Sequence, residues 1–454
     1  MKKTWLRRIT AGLLGAFLLF TPAPVSANVV TDEEYLEIEY SAQVMEDTMA
    51  RIMERYVGSD VSVEALLHAA LKGMTGILDD YSDYLTPEEY KSFFGGLSTS
   101  TKAIGITMNV NNVTDEPYIR VTRVLDNSPA KDAGILAGDL LITANGISLK
   151  NKTSAEVKAV IAADVSKTVT LTVRRSGKDI SFTIAPRSIY ISTVQPYALK
   201  DLGVKNPSPQ AGYLQISAVG DNCAKDFEKE MKVLLKAGVK RLILDLRGNS
   251  GGYLDDAVAI CRLLVPAGPI IYTYDADNGM VEIASTLAKC PFERIVVLTN
   301  GGSASAAEVI TSALQDSKAA VVVGTQSFGK GVIQSMYSYS AGGGLKLTTQ
   351  EYFRRTKEKL NGIGITPDVA VAFVDYVFED KNIAETEREA YEAKLAAALS
   401  LLGAADINSF QKAQSLPQTG IADSATANAI NRAIDLYYTA HDVILIEGYK
   451  TLMK

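Results

Sequence analysis

The alternation of apolar strands and helices between residues 210 and 375 limits this part of the chain to an α/β layered core. Leu242–Leu246, Ile295–Leu298 and Ala320–Val323 are short apolar runs typical of buried strands. Apolar residues at helical spacing predict helices around 221–237, 253–264 and 305–315, each next to one of these strands.

Each of the three strands is followed by a loop of small residues. Ligands gather at the carboxyl ends of strands in open α/β sheets, and glycine allows backbone amides to approach a ligand closely. The sequence therefore predicts a functional site where the three loops meet. The loops are Arg247–Gly252, Asn300–Ser305 and Gly324–Gly331.

Ser305 lies just before the third predicted helix, and two interpretations of it are open. Ser305-Ala306-Ala307-Glu308 fits the S-x-x-E capping box, so Ser305 could simply cap the helix. The same position lies beside free N–H groups and the positive end of the helix dipole, which suits a nucleophile with an oxyanion site.

A serine nucleophile needs a base, and Lys330 is the candidate within the same core. A solvated loop lysine is the simpler interpretation, because a free lysine has a pKa of about 10.4. Burial beside Phe328, Val332 and Ile333 could lower that pKa, and Ser–Lys pairs are a known catalytic variant.

The only histidines, His68 and His441, lie far from the core in sequence. Gly324 to Lys330 lacks the hydroxyl residue that a phosphate-binding loop needs after its lysine, which argues against nucleotide binding.

The N-terminus is typical of a secretory signal. Basic residues precede the apolar run Ile9–Phe20, and Val25-Ser26-Ala27 forms a small-residue cleavage site. We expect residues 1–27 to direct the protein outside the cytoplasmic membrane; retention as an anchor is the alternative.

The formal charge is −6, and it becomes −10 without the four basic residues of this segment. Such acidity argues against nucleic-acid binding, and two histidines with three scattered cysteines give no reason to expect a metal or a cofactor.

Three further segments flank or precede the core. Residues 28–99 have helical apolar spacing, which indicates either a helical layer or a dimerisation face, and Asp79–Ser82 within them is typical of a turn. Residues 100–185 contain short alternating strands with an Asn145-Gly146 hairpin turn. Residues 376–454 are mostly helical, with a break from Pro417 to Gly420.

Several motifs together resemble the PDZ-containing carboxyl-terminal processing peptidases, also called tail-specific proteases. Ser303–Glu308 and Ser327–Gln334 are similar to the family's nucleophile and lysine motifs, and Ser305 and Lys330 have its spacing. Asp79–Ser82, Leu246–Asn249, Gly251-Gly252 and Gly364–Asp368 match as well. The resemblance implies a multidomain α/β protein in which residues 186–375 form a ClpP/crotonase-like protease core, with an inserted PDZ domain at 100–185 and helical N- and C-terminal segments.

The same resemblance implies a role for each matched residue. Ser305, rather than Ser303, would be the nucleophile and Lys330 the general base, with Gln334 orienting its amine. The backbone N–H groups of Ala306 and of Gly251 in the Gly251-Gly252 pair would form the oxyanion hole. An acid at Asp316 matters in some members, but 11 helical residues place it about 16 Å from Ser305, which favours a structural role at the helix end.

Two binding segments are also implied. Ala103, Ile104, Gly105 and Ile106 resemble the PDZ loop that holds a terminal carboxylate, although the domain could instead only pack on the core. Where relatives often carry Arg-Gly after the PDZ helix, this chain has Ala162-Ala163, so an arginine relay has no counterpart there. Residues 405–432 resemble a peptidoglycan-binding repeat, and a helical tail that dimerises is the alternative.

The sequence thus predicts an extracytoplasmic serine endopeptidase that selects proteins by apolar, unstructured C-termini and forms a homodimer. A catalytically silent PDZ scaffold is one alternative. An acyl-CoA-handling enzyme is another, because crotonase-like folds share the core topology, but the signal segment argues against it.

Overall fold

The computed structural model describes residues 30–58, 60–108, 117–164 and 166–454. The signal segment predicted at 1–27 lies outside these residues. Within the described part of the chain, no helix combines the length and the apolar character needed to cross a membrane.

Three capped helices and one short strand form the N-terminal segment. They are α1 (Asp32–Arg55), α2 (Val63–Thr75), β1 (Asp83–Leu85) and α3 (Pro87–Leu97). Capping boxes at Thr31 and Thr86 satisfy free N–H groups at the starts of α1 and α3. Helix α1 buries none of its 24 residues, and most of its apolar side chains are exposed within the described part of the chain.

The next segment consists of short antiparallel strands around one apolar core. Its helices are α4 (Pro129–Ala133) and α5 (Ser154–Ala162). Its strands are β2 (Ser100–Ala103), β3 (Ile106–Met108), β4 (Val121–Val124), β5 (Leu140–Ala144), β6 (Ile147–Ser148), β7 (Val169–Arg175), β8 (Lys178–Ile184) and β9 (Arg187–Tyr190). The sheet order is β6-β5-β7-β8, with β3 paired to β4 and β2 to β9. As predicted, Asn145 and Gly146 turn the chain between β5 and β6.

The α/β core is built on a six-stranded sheet in which five neighbouring strands run parallel. Its elements are β10 (Val194–Pro196), β11 (Ala211–Ile216), α6 (Cys223–Lys236), β12 (Arg241–Asp245), α7 (Leu254–Leu264), β13 (Gly268–Asp275), β14 (Gly279–Ser285), β15 (Arg294–Thr299), α8 (Ala306–Asp316), β16 (Ala320–Gly324), β17 (Val332–Ser338), β18 (Gly344–Phe353) and β19 (Val369–Ala370). The order β10-β11-β12-β15-β16-β19 confirms the predicted α/β layering. Leu242 and Leu244 of β12 lie in the apolar layer under α6, α7 and α8.

A second sheet joins the N-terminal segment to the core. Its order is β1-β18-β13-β14, and β17 also pairs with β18. Asp83 of β1 lies opposite Lys346 of β18. A strand that precedes the PDZ-like segment in the sequence therefore completes a sheet whose other strands follow that segment.

The C-terminal helices divide between two places. Helices α9 (Arg388–Leu401), α10 (Ile407–Ala413) and α11 (Ser424–Ala440) share a separate apolar cluster. The last helix, α12 (Val443–Met453), instead packs Leu445 and Leu452 on the second face of the six-stranded sheet, against Ile243 and Val296. The sequence predicted helices here without indicating that the final one covers the core.

Candidate active site

Ser305 has a strained backbone at the start of α8. Its φ of +55° and ψ of −119° lie in a region that residues other than glycine rarely adopt. Such strain persists only where the surroundings hold it, and it clusters at functional sites. The half-buried Ser305 side chain lines a cleft of about 460 Å³.

Glu308 connects the nucleophile candidate to the lysine loop. Its buried carboxylate accepts hydrogen bonds from the N–H groups of Ser305 (2.8 Å), Gly329 (2.7 Å) and Lys330 (2.8 Å) and from the Ser327 hydroxyl (2.5 Å). Burial raises the pKa of Glu308, and these four donors oppose the rise. The sequence indicated only the capping bond to Ser305; the S-x-x-E pattern gives no sign of the other three.

Lys330 lines the same cleft as Ser305. Its ammonium nitrogen lies 5.1 Å from the centroid of the Tyr81 ring. Burial is the main cause that lowers the pKa of Lys330, the positive charge of Lys346 adds to it, and the charges of Asp79 and Glu308 oppose it. The chain continues from Lys330 into strand β17 rather than into a helix, which is unlike a phosphate-binding loop.

The two oxyanion candidates lie next to each other. A Cβ built on Gly251, whose φ is +102°, would be 2.8 Å from the Ser305 Cβ and 3.0 Å from the Ala306 nitrogen. The Ala306 N–H is the first of α8 and has no carbonyl within the helix to bond. The Gly251 N–H, however, donates to Asn249 Oδ1 at 2.9 Å, so in this conformation it is not free for a ligand.

Of the remaining candidate residues, Gln334 lines the cleft, whereas Asp316 and the two histidines lie elsewhere. Gln334 lines the cleft, and its Nε2 donates to Thr348 Oγ1 at 3.0 Å. Asp316 does not line the cleft; it ends α8 in an ion pair with Arg354, with O and N 2.5 Å apart. His68 packs on Tyr84 and His441 stacks on Tyr437, and both are absent from the described walls of the cleft.

The backbone of the PDZ-like loop is held in place from both sides. The Ile104 carbonyl accepts from the Ala130 N–H (2.8 Å), and the Gly105 carbonyl accepts from the Leu125 N–H (2.9 Å). Ile104 is buried, and a Cβ on Gly105 would lie 2.3 Å from the Ser128 Cβ. The fixed backbone between Ala103 and Ile106 can therefore present its amides to a ligand in one conformation.

A network that the sequence did not predict supports the loop before Gly251. Arg247 makes two bonds to Asp442, the residue that caps α12, at 2.6 and 2.9 Å. It also pairs with Oδ2 of the buried Asp245, and the same oxygen accepts from the Tyr213 hydroxyl. The last helix and the loop that carries Gly251 are thus joined by one arginine.

The walls of the cleft are mostly apolar. Helix α3 supplies Phe93, Phe94 and Leu97, and β17 supplies Val332 and Met336. An apolar trough with a helix N-terminus, a hydroxyl and an amine of lowered pKa can bind an extended chain and catalyse acyl transfer.

Comparison with known proteins agrees with this description. Residues 210–371 match the model of Peptidase family S41, and residues 120–175 match that of the PDZ domain. A carboxyl-terminal-processing protease from Picosynechococcus is 30% identical over 383 residues, which cover 80% of this chain and 90% of that protein. A Staphylococcus aureus protein named "Probable CtpA-like serine protease" is 33% identical over 314 residues, 68% of this chain and 61% of that one. The solved photosystem II D1 C-terminal processing protease is 24% identical, with a TM-score of 0.42 over 76% of this chain and 94% of that chain. The chain therefore belongs to the carboxyl-terminal-processing serine proteases of peptidase family S41 and contains a PDZ domain.

Proposed function

We propose that this protease acts outside the cytoplasmic membrane through a Ser305–Lys330 dyad and selects protein substrates by their free C-termini. The observation that carries the proposal is the shared cleft, in which a strained serine at a helix N-terminus accompanies a lysine whose pKa is lowered by burial. Gln334 lines the same cleft and would orient the amine.

In this mechanism neutral Lys330 takes the proton of the Ser305 hydroxyl as its oxygen attacks the scissile carbonyl. The resulting oxyanion is stabilised by the Ala306 N–H and the positive end of α8. A second donor, from Gly251, requires that its N–H leave Asn249, so the loop must shift slightly on binding. Protonated Lys330 then gives its proton to the leaving amine, and water hydrolyses the acyl-enzyme with Lys330 again as base.

Selection by the PDZ domain rests on the fixed loop from Ala103 to Ile106. An extended C-terminus would add to the edge of β3, and backbone N–H groups of the loop would hold its carboxylate. The apolar cleft supports a preference for apolar, unstructured segments.

The test uses the chain from Asn28 and an unstructured peptide that ends in free apolar residues, beside the same peptide amidated at its C-terminus. Ser305→Ala and Lys330→Ala run in parallel, and mass spectrometry identifies the products. We expect cleavage of the free-ended peptide only, and none by either variant. Equal cleavage of both peptides would refute carboxylate selection, and full activity of either variant would refute the dyad. If the unaltered chain cleaves nothing and a fluorophosphonate does not label Ser305, the protein is a peptide-binding scaffold.

The proposed homodimer rests on α1. Tyr35, Leu36, Ile38 and Val44 of this helix are all about half exposed or more, although they are apolar. A second copy of the chain would cover them. Light scattering should give a dimer for the unaltered chain and a monomer for Leu36→Glu, with Glu37→Gln as a control on the same helix; a monomer in both would refute this interface.

Peptidoglycan contact through residues 405–432 is proposed from the motif and is compatible with the compact fold of α10 and α11. Gln411 is buried there and bonds to Thr419, Ile421 and Thr426, so it organises the unit rather than facing a ligand. Co-sedimentation of the full Ser305→Ala chain with purified peptidoglycan tests the contact, and a chain that stays in solution would favour a purely structural role.

A further inference from the structure

The turn at Asp79–Ser82 lies against the active-site cleft, although it is far from the dyad in sequence. The Asp79 carboxylate closes the turn by accepting the N–H groups of Tyr81 and Ser82, each at 2.7 Å. The pairing of β1 with β18 then places the turn beside Thr348. The Thr348 N–H donates to the Ser82 hydroxyl at 3.0 Å, which fixes the turn on β18.

Thr348 also connects the turn to Gln334. Its hydroxyl donates to Asp79 Oδ1 at 3.2 Å and accepts from Gln334 Nε2 at 3.0 Å. Gln334 of β17 lies opposite Thr348 of β18, so the sheet register maintains this contact. The three side chains form one continuous series of hydrogen bonds that ends in the cleft.

The direction of these bonds follows from the chemistry of the groups. An ionised carboxylate only accepts hydrogen bonds, and a threonine hydroxyl has one hydrogen to donate. Burial acts to raise the pKa of Asp79, but hydrogen bonds from the Tyr81 N–H, the Thr348 hydroxyl and the Ser82 N–H lower it overall, which keeps the carboxylate ionised. The single Thr348 hydrogen therefore goes to Asp79, and Thr348 must accept from the amide nitrogen of Gln334. The Gln334 carbonyl oxygen is then the atom left to accept a hydrogen bond from an amine.

Tyr81, in the middle of the turn, packs its ring on the Lys330 ammonium, 5.1 Å from the centroid. The same short segment thus contacts the proposed base and sets the amide expected to orient it. The charged groups around Lys330 come from three stretches: Asp79 from the turn, Glu308 from α8 and Lys346 from β18.

We propose that the Asp79–Ser82 turn is a positioning element for the base: Asp79, through Thr348, determines which atom of Gln334 faces Lys330, and the Tyr81 ring holds the Lys330 amine in the cleft. The inference rests on the Ser305–Lys330 dyad proposed above. Asp79, Tyr81 and Thr348 act through Lys330 and Gln334 rather than on the substrate.

The test compares two neighbouring threonines on β18. Thr348→Val removes the hydroxyl between Asp79 and Gln334, and Thr348→Ser restores it. Thr349→Val is the matched control, because it removes a hydroxyl that bonds to Ser335 (2.8 Å) on the same two strands. We expect kcat to fall roughly 10- to 100-fold in Thr348→Val with little change in KM, since small misplacements of reacting groups have effects of this size. Thr348→Ser and Thr349→Val should stay within about 3-fold of the unaltered chain, well below that effect.

A double-mutant cycle shows whether Thr348 acts through Gln334. If it does, adding Thr348→Val to Gln334→Ala should reduce kcat no further, whereas independent effects would multiply. For Tyr81, we expect Tyr81→Phe to keep kcat and Tyr81→Leu to lower it, because the ring face is what contacts the ammonium.

The outcomes separate this inference from the dyad on which it rests. Full activity of Ser305→Ala would overturn both. If Ser305→Ala and Lys330→Ala are both inactive but Thr348→Val matches Thr349→Val, or if the double variant shows multiplied losses, the dyad stands and the positioning role of the turn is wrong.

Discussion

Two glycines in one loop allow the effect of a steric contact with Ser305 to be distinguished from the effect of backbone strain. Gly248 and Gly251 have positive φ values of +69° and +102°. Alanine at either position adopts a conformation unfavourable to L residues, which costs about 1–2 kcal/mol of stability. A Cβ on Gly248 would meet nothing within 4 Å, so Gly248→Ala introduces the strain alone.

Gly251→Ala introduces backbone strain of the same kind together with a steric conflict. Its Cβ would lie 2.8 Å from the Ser305 Cβ, 2.9 Å from the Ala304 oxygen and 3.0 Å from the Ala306 nitrogen. The first distance is about 0.7 Å shorter than the usual carbon–carbon contact of about 3.5 Å. Two of the three atoms belong to the backbone, so the loop and the start of α8 must move apart. Removing one oxyanion donor lowers kcat about 10²- to 10³-fold, and we expect at least a 100-fold loss, or about 2.7 kcal/mol.

The assay measures kcat on the free-ended peptide and the melting temperature of each variant. Both variants should melt at lowered temperatures, Gly251→Ala at the lower one because of its steric conflict. Only Gly251→Ala should lose most of its activity, and Gly248→Ala should stay within about 3-fold of the unaltered chain because no group approaches the added methyl. Equal activity of the two variants would refute the placement of Gly251 at the oxyanion site.

Three further predictions concern charged groups. Lys346→Met removes a positive charge that lowers the pKa of Lys330, so that pKa should rise. The acidic limb of the kcat/KM–pH profile should then move to higher pH. Lys412→Met, which lies outside the cleft, should leave that limb in place. Asp442→Ala removes both the α12 cap and the ion pair with Arg247, so urea unfolding should show a free energy of unfolding about 2 kcal/mol lower. Asp442→Asn keeps the cap and should lower it by about half as much. Equal losses in the two variants would contradict this division between cap and ion pair. Asp316→Ala breaks the partly buried pair with Arg354 and should lower stability by about 1–3 kcal/mol. Fluorophosphonate labelling of Ser305 should nevertheless continue at the rate of the unaltered chain, and slowed labelling would indicate a role for Asp316 in the chemistry.

The sequence was sufficient for features that depend on local pattern. The strands of the core were predictable because parallel strands covered on both faces are continuous apolar runs, as in Arg241–Asp245 and Ala320–Gly324. The positions of Ser305 and Lys330 were predictable because each lies in a small-residue loop at a strand end or just beyond one. Their spacing in the chain then matched a known family.

Features that depend on distant pairing could not be predicted in this way. Strand β1 has three residues and no measurable periodicity, so its pairing with β18 leaves no local signal. Helix α12 has an apolar face like the helices before it, and its burial on the core depends on complementary side chains of β12 and β15. The bond from the Gly251 N–H to Asn249 depends on a single loop conformation, which composition does not determine.

The environment of Lys330 shows what this lysine would need from distant parts of the chain to serve as the proposed base. Burial is the largest cause that lowers its pKa, and the ring of Tyr81, from the N-terminal segment, lies 5.1 Å from its nitrogen. Asp79 and Glu308 act in the opposite direction through their charges, so burial must outweigh two nearby carboxylates. If the Asp79–Ser82 turn separated from β18, water would reach the amine, the desolvation that lowers its pKa would be lost, and Lys330 would return toward the protonated state of an ordinary lysine. Since a protonated amine cannot accept the serine proton, the proposed mechanism makes correct docking of the N-terminal segment a condition for the chemistry and not only for stability.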